Sequence, residues 1–161
     1  MGKPDLKLVD GSTPDHVPVA RALFEEYERS LGIDLCFQDF ERELAELPGA
    51  YAPPEGRLLL ALVGNEPAGC VALRPLADGG CELKRLYVRP AHRGLGLGRL
   101  LTTTVLDTAV ELGYTRVLLD TLPAMTEAQA LYRSLGFRPI DAYTVNPVPG
   151  ATFMAIELAE R

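Results

Sequence analysis

The 161-residue sequence has no long hydrophobic run and no excess of positive charge. No stretch of about 18 apolar residues is present, so no segment is predicted to cross a membrane. The N-terminal stretch MGKPDLKLVDG also lacks the basic, apolar and small-residue regions of a secretory signal. We therefore expect a cytoplasmic protein with no membrane partner.

Cysteine is scarce, and acidic residues outnumber basic ones. Cys36, Cys70 and Cys81 are odd in number and show no CxxC spacing, which predicts reduced structural thiols rather than a disulfide framework or a metal site. The net charge of −6 argues against nucleic-acid binding, because phosphates are bound mainly by lysine and arginine. The same charge mildly favours a cationic or neutral small substrate.

The hydrophobic content of 47% is sufficient for the core of one domain, which we expect to span residues 1–161. Periodicity and turn residues predict the element order β-α-α-β-β-β-α-β-α-β-β, an α/β fold with a mixed sheet and helices on both faces. The last two strands are predicted over PIDAYTVN, residues 139–146, and ATFMAIEL, residues 151–158. Exposed edge strands near the C-terminus are compatible with a homodimer.

Three alternate glycines, Gly94, Gly96 and Gly98, stand where the fourth strand gives way to a helix. A helix start leaves backbone N–H groups unpaired and carries a partial positive charge, and glycine lets a phosphate approach those groups. The spacing fails the dinucleotide fingerprint, which needs a third glycine where Arg99 or Leu101 stands. No lysine follows the glycines, as a P-loop requires. The loop is therefore predicted to hold a different phosphate-bearing ligand.

The pattern RGLGLG, from Arg93 to Gly98, together with the later ALYRSLGF, resembles the GCN5-related N-acetyltransferase family. The resemblance also covers the order of strands and helices over nearly the whole chain. It implies an acetyl-CoA-dependent N-acetyltransferase, in which an amine attacks the thioester directly in a ternary complex. A flexible turn is the alternative interpretation of the glycines, but three glycines cost more conformational entropy than a turn needs.

The resemblance assigns the cofactor contacts to two segments. Backbone groups of the fourth strand would contact the pantetheine arm, at Leu86, Tyr87 and Val88. The pyrophosphate would be held, mostly by main-chain N–H groups, at Arg93, Gly94, Leu95, Gly96, Leu97, Gly98 and Arg99. Many members carry a pantetheine-binding asparagine after the fifth strand, which this chain lacks. Asp120, Thr121, Thr126 or a backbone group would have to replace it.

The resemblance also identifies two catalytic candidates. Tyr132 matches the tyrosine that hydrogen-bonds the CoA sulfur and protonates the leaving thiolate, although a packing role is the alternative. Glu82 matches a general-base glutamate of some members. On a regular strand Glu82 would share a face with Leu86 and Val88 and so point toward the cofactor. The alternative for Glu82 is an exposed carboxylate at the start of the strand, paired with Lys84 or Arg85.

The acceptor pocket is expected between the two N-terminal helices and the last two strands. Its candidate substrate contacts are Tyr27, Gln38, Tyr143 and Asn146. His92, beside the glycine loop, is expected to be solvated. The predicted acceptor is the primary amine of a small molecule, such as an amino acid. Two alternatives remain open, namely a non-catalytic acyl-CoA-binding module on the same fold and acetylation of protein amino termini or lysines.

Overall fold

The computed structural model describes residues 5–32 and 39–160. Within these ranges the elements follow the predicted order. They are β1 (Leu6–Asp10), α1 (Val17–Leu31), α2 (Phe40–Glu46), β2 (Arg57–Val63), β3 (Glu66–Pro75), β4 (Cys81–Val88), α3 (Leu97–Glu111), β5 (Arg116–Thr121), α4 (Thr126–Leu135), β6 (Arg138–Ile140) and β7 (Thr152–Glu157). No helix in the described part of the chain has both the length and the apolar character needed to span a membrane.

The described strands form one mixed sheet in the order β1-β2-β3-β4-β5-β7-β6. Neighbouring strands are antiparallel except β4 and β5, which α3 connects in parallel. The parallel pairing is short, because it joins only Cys81 to Val117 and Glu82 to Leu118. Beyond these pairs the two strands diverge and leave a gap in the sheet.

The sheet separates two hydrophobic cores. On one face α3 and α4 pack, and α3 buries the residues of its apolar side, Leu97, Leu101, Val105 and Ala109. On the other face α1 and α2 pack, with Phe24 and Phe40 fully buried. The prediction of helices on both faces of a mixed sheet is confirmed.

A β-bulge at Arg85 interrupts β4. Cys70 of β3 pairs with Tyr87, and Ala72 of β3 pairs with Lys84. Between these two pairs β3 has one residue whereas β4 has two. Arg85 takes up the extra residue with a φ of 63°, a left-handed conformation that is uncommon outside glycine. Its guanidinium donates two hydrogen bonds of 2.9 Å to the carboxylate of Glu43 in α2. The bulge therefore depends on a bidentate ion pair with a neighbouring helix.

The bulge reverses the side-chain alternation of β4. Leu83 before it and Leu86 and Val88 after it all pack in the core under α3 and α4. Glu82, which alternates with Leu83, therefore points to the opposite face, toward α1 and α2. The prediction that Glu82 shares a face with Leu86 and Val88 is wrong, because regular alternation does not account for the inserted residue.

The sixth strand is shorter than predicted. β6 ends at Ile140, and the residues predicted to continue it form a loop. Within this loop Tyr143 donates a hydrogen bond to Glu82, and Asn146 donates one to Asp120. The prediction of a strand to Asn146 is therefore wrong beyond Ile140. The backbone there leaves the sheet, and the side chains of Tyr143 and Asn146 hydrogen-bond to β4 and β5.

An ion pair fastens α1 to the end of β4. Glu26 of α1 accepts hydrogen bonds from Nε and Nη2 of Arg89, at 2.9 and 2.5 Å. Arg89 follows β4 directly and also donates to the carbonyl of Pro67 at 3.0 Å. These bonds from Arg89 hold the pKa of Glu26 below its ordinary value. The pair therefore stabilises the fold while Glu26 is ionised.

Glu26→Gln is expected to lower the free energy of unfolding by about 1 kcal/mol at neutral pH. Because the folded-state pKa lies below the ordinary value of 4.5, the stabilisation is complete above that pH and is lost as the pH falls through the folded-state value. The free energies of unfolding of the wild type and the variant should therefore converge in acid, and urea unfolding of both proteins across the acidic range measures them. Glu25→Gln, at an exposed neighbour on α1, is the control and should match the wild type. A difference that stays constant in acid would contradict the prediction.

Candidate active site

A cavity of about 720 Å³ opens at the gap between β4 and β5. The end of β4, the glycine loop, the segment after β5 and the start of α4 form its walls, and α1 contributes Tyr27 and Ser30. Most of the residues predicted to bind the cofactor line it, namely Leu86, Tyr87, Val88, Arg93, Gly94, Gly96, Leu97 and Gly98. The structure thus brings the two predicted segments together around one space.

The side chains of Leu95 and Arg99 do not line this cavity. Leu95 is 40% exposed, and Arg99 donates a hydrogen bond of 2.9 Å to the hydroxyl of Ser134 on α4. The Arg93 side chain folds back along β4, where its Nε donates to the carbonyl of Val88 at 3.1 Å. Any contact of Leu95 or Arg99 with the predicted pyrophosphate is therefore left to their main-chain amides.

The glycine loop presents unpaired amides at the start of α3. Gly94 and Gly96 have φ angles of 86° and 79°, which strain any residue with a side chain. The first helical N–H that pairs is that of Leu100, which donates to the carbonyl of Gly96. The amides of Leu97, Gly98 and Arg99 precede it and have no acceptor within the helix. Together with the helix dipole, these amides suit a pyrophosphate.

The sequence analysis missed the wall that residues 122–131 contribute. Leu122, Met125 and Leu131 give this wall an apolar surface, and Thr126 lies among them. Nε2 of Gln129 donates to the carbonyl of Leu122 at 2.6 Å and so ties the segment to α4. The sequence does contain one signal for this wall. The family's asparagine after the fifth strand is missing, and Thr126 is one of the residues that would have to replace its contact with the cofactor.

Tyr132 is buried in the core under α4, and among the described residues it is not one of those that line the cavity. It is 3% exposed and packs against Phe137, with ring centres 5.5 Å apart. Its hydroxyl makes no hydrogen bond to any residue that the structure describes. Burial, with smaller contributions from Tyr27 and Asp120, raises the pKa of Tyr132 far above its ordinary range. The phenol therefore keeps its proton at neutral pH, and that proton is not committed to a bond within the described chain.

A cluster of polar side chains lies on the α1 and α2 face of the same gap. We call it the acceptor-side cluster, and it consists of Arg74, Glu82, Lys84, Asp120, Tyr143 and Asn146. Glu82 and Lys84 are only 1% and 7% exposed, although both are ionisable. The charged members lie on the adjacent strands β3, β4 and β5, and the loop after β6 supplies Tyr143 and Asn146.

Both carboxylate oxygens of Glu82 accept hydrogen bonds. Nε of Arg74, the residue opposite on β3, donates to Oε1 at 2.8 Å. The hydroxyl of Tyr143 donates to Oε2 at 2.5 Å. Burial and the charge of Glu82 raise the pKa of Tyr143, so this phenol stays a donor. The alternative of an exposed carboxylate is wrong, because Arg74 and Tyr143 enclose it.

Lys84 and Asp120 complete the charged part of the cluster. Nζ of Lys84 lies 4.0 Å from Oε1 of Glu82. Burial and the neighbouring Arg85 guanidinium lower the pKa of Lys84, while Glu82 and Asp120 oppose this effect. The side-chain amide of Asn146 donates to Asp120 at 3.0 Å.

Three of the four predicted substrate contacts meet at this gap. Tyr143 and Asn146 belong to the acceptor-side cluster, and the ring of Tyr27 lines the cavity. Tyr27 packs edge-on against Tyr87 with ring centres 6.2 Å apart, and burial raises its pKa to about 12. The charge of Asp120 also acts on Tyr27, but no member of the acceptor-side cluster is among the described residues that line the cavity. Gln38 lies outside the described residues.

The prediction that His92 is solvated is wrong. A short helix, Pro90–His92, precedes the glycine loop and turns the ring against the cavity wall, leaving the side chain 14% exposed. Nδ1 is buried with no hydrogen-bond partner among the described residues, and Nε2 lies 3.7 Å from Glu66.

Comparison with known proteins agrees with this geometry. The model of the Acetyltransferase (GNAT) family matches residues 20–137. An uncharacterised N-acetyltransferase of Schizosaccharomyces pombe is 40% identical over 91% of each chain. Human N-acetylaspartate synthetase is 35% identical over 74% of this chain and 39% of its own length. An acetyltransferase of Salmonella typhimurium, solved with its cofactor acetyl-CoA, superimposes with a TM-score of 0.66 at 20% identity, over 97% of this chain and 95% of its own.

Gly96→Glu is expected to raise the Kd for acetyl-CoA, the ligand that the sequence predicts for this loop, by at least about 100-fold. The substitution places a negative charge at the unpaired amides, and calorimetric titration measures its effect. Gly113→Glu is the matched control, because Gly113 follows the other end of α3 with a φ of 86° and equally open space. Both variants should lose similar stability. Unchanged affinity in Gly96→Glu would refute the assignment of the loop.

Proposed function

The chain belongs to the acetyltransferase (GNAT) family, and on this premise we propose that it acetylates the primary amine of a small molecule. The protein is an acyltransferase, and acetyl-CoA is its co-substrate. A relative whose name specifies N-acetylaspartate, the acetylated form of an amino acid, supports an acceptor of this size. The absence of a disulfide at the buried thiols of Cys70 and Cys81 supports a cytoplasmic location.

One arrangement carries this proposal, namely that the acceptor-side cluster adjoins the cavity along β4, where Lys84 lies two residues before Leu86 of the cavity wall. Among the described residues, no side chain of the cluster lines the cavity itself. The glycine loop and the end of β4 line the cavity, while Glu82, Lys84 and Asp120 lie on the other face of the gap. A thioester held in the gap would therefore have a buried, charged surface next to its reactive carbon. Such a surface is suited to a small polar acceptor rather than to an apolar one.

Acetyl-CoA supplies an activated acyl carbon when it is bound. The acceptor amine must first lose a proton, because an alkylamine with a pKa near about 10 is mostly charged at neutral pH. We assign this proton to Glu82, directly or through water, with Arg74 and Tyr143 holding the carboxylate in place. As the new carbon–nitrogen bond forms and the carbon–sulfur bond breaks, Tyr132 donates its phenol proton to the leaving sulfur. The second proton that the nitrogen loses as the amide forms restores the phenol of Tyr132.

A catalytically silent acyl-CoA-binding module would share the cavity but would release no thiol. Acetyl-CoA-dependent thiol release with a panel of amines separates the two functions. Acetylation of protein amino termini or lysines would instead require transfer to peptides, which the same assay detects. Release with small amines supports the proposal, whereas transfer to peptides alone contradicts it.

Tyr132→Phe is expected to lower kcat about 10- to 100-fold while leaving acetyl-CoA affinity and Tm nearly unchanged. The stability should hold because the hydroxyl makes no hydrogen bond to the described chain. Tyr114→Phe is the matched control. Its hydroxyl donates to the carbonyl of Glu55 at 2.7 Å, so that variant should lose stability but keep its kcat. Full turnover by Tyr132→Phe would remove this phenol from the chemistry.

Glu82→Gln is expected to remove one ionisation from the acidic limb of the profile of kcat/KM against pH. The remaining rise would follow the acceptor amine alone, as amines of different pKa would reveal. Glu26→Gln also breaks a carboxylate–arginine pair, and it should retain the ionisation. An acidic limb that Glu82→Gln leaves unchanged would assign Glu82 a structural role.

A further inference from the structure

Lys84 and Asp120 face each other across the gap between β4 and β5. Each lies two residues beyond the last parallel pair, Glu82 with Leu118, and residues two apart on a strand point to the same face. Leu119, which precedes Asp120, packs in the opposite core. Two side chains of opposite charge therefore flank the point at which the strands separate.

Lys84 has no hydrogen-bond acceptor within the described chain. The cations nearest to it are bonded, since Arg74 donates to Glu82 and Arg85 donates to Glu43. The ion pair of Lys84 with Glu82, at 4.0 Å, is too long for a hydrogen bond. An ammonium carries three donors, and burying it without acceptors is costly. The Lys84 side chain is only 6% exposed, yet its Nζ is not among the fully buried atoms of the described chain that lack a hydrogen-bond partner. The ammonium therefore borders accessible space, where a ligand can supply the acceptor.

We propose that Lys84 binds the carboxylate of the acceptor, which makes the acceptor a free amino acid rather than a simple amine. This inference rests on the proposed function and narrows its substrate class. A carboxylate supplies the acceptors that the Lys84 ammonium lacks, while Asp120 attracts the amine of the same molecule across the gap. The charges of Arg74, Glu82, Lys84 and Asp120 cancel, so the cluster suits a zwitterion that is neutral overall.

This orientation places the amine beside the reacting groups. Asp120 lies close enough to Tyr132 for its charge to contribute to the raised pKa of that phenol. An amine held at Asp120 would lie where β4 and β5 diverge, which is the place proposed for the thioester. Lys84 would fix the carboxylate at the other end of the substrate, so Glu82, 4.0 Å from Lys84, would take the amine proton through water rather than directly.

The test compares three compounds that share one side chain, namely the free amino acid, its α-carboxamide and the corresponding decarboxylated amine. Acetyl-CoA-dependent thiol release gives kcat/KM for each compound across a panel of side chains that includes aspartate. We expect at least one amino acid to exceed its carboxamide about 100-fold in kcat/KM. Equal or better use of the carboxamides throughout the panel overturns the inference.

Lys84→Met keeps an unbranched side chain of nearly the same length and removes its charge. It is expected to lower kcat/KM for the preferred amino acid about 100-fold, chiefly through KM, and to change kcat/KM for the carboxamide less than about threefold. Lys7→Met, at an exposed position on β1, is the matched control. An equal loss for all three compounds overturns the inference, because carboxylate binding would affect the acid alone.

A further measurement on the wild type guards against a variant that fails to fold. The N-acetylated amino acid should inhibit about 100-fold more strongly than its N-acetylated carboxamide, and equal inhibition would overturn the inference. Transfer only to amines without a carboxylate would overturn it and leave the proposed function standing. Binding of acetyl-CoA without transfer to any amine would overturn the proposed function itself.

Discussion

The ion pair between Arg85 and Glu43 holds β4 in the conformation on which the site depends. A left-handed arginine costs on the order of 1 kcal/mol or more, and the bidentate bonds to α2 offset that cost. The guanidinium also lies 5.0 Å from the ring centre of Phe40, so α2 holds the bulge in two ways. Without the bulge, Leu86 and Glu82 would point to the same face of the sheet.

Because of this reversal, one strand serves two surfaces at the gap. Leu86 and Val88 turn to the α3 side and line the cavity, whereas Glu82 and Lys84 turn to the α1 side and join the acceptor-side cluster. The early divergence of β5 opens the gap between these surfaces. The cavity lies in the gap itself, with Leu86 and Val88 on its α3 side and Tyr27 and Tyr87 on its α1 side, and the proposed acceptor binds from the α1 side.

The sequence predicted the elements well because their signals are local. The glycines that open α3 and the apolar spacing of that helix can be read within a few residues, and so can the anion site at its start. The bulge at Arg85 was missed because no glycine marks it and its ion-pair partner lies 42 residues earlier. The loop after β6 was mistaken for a strand because Tyr143 finds its partner 61 residues away.

The sequence by itself determined the order of the elements and the glycine loop, since each depends on spacing along the chain, and its resemblance to a known family identified Tyr132 and Glu82 as candidates. Only the tertiary structure decided which face of the sheet Glu82 occupies, how completely it is enclosed, and that Lys84 is nearly buried with no hydrogen-bond acceptor among the residues that the structure describes. These properties depend on residues far apart in sequence that burial brings together, and in a buried site each charge must find a partner or remain available to a ligand.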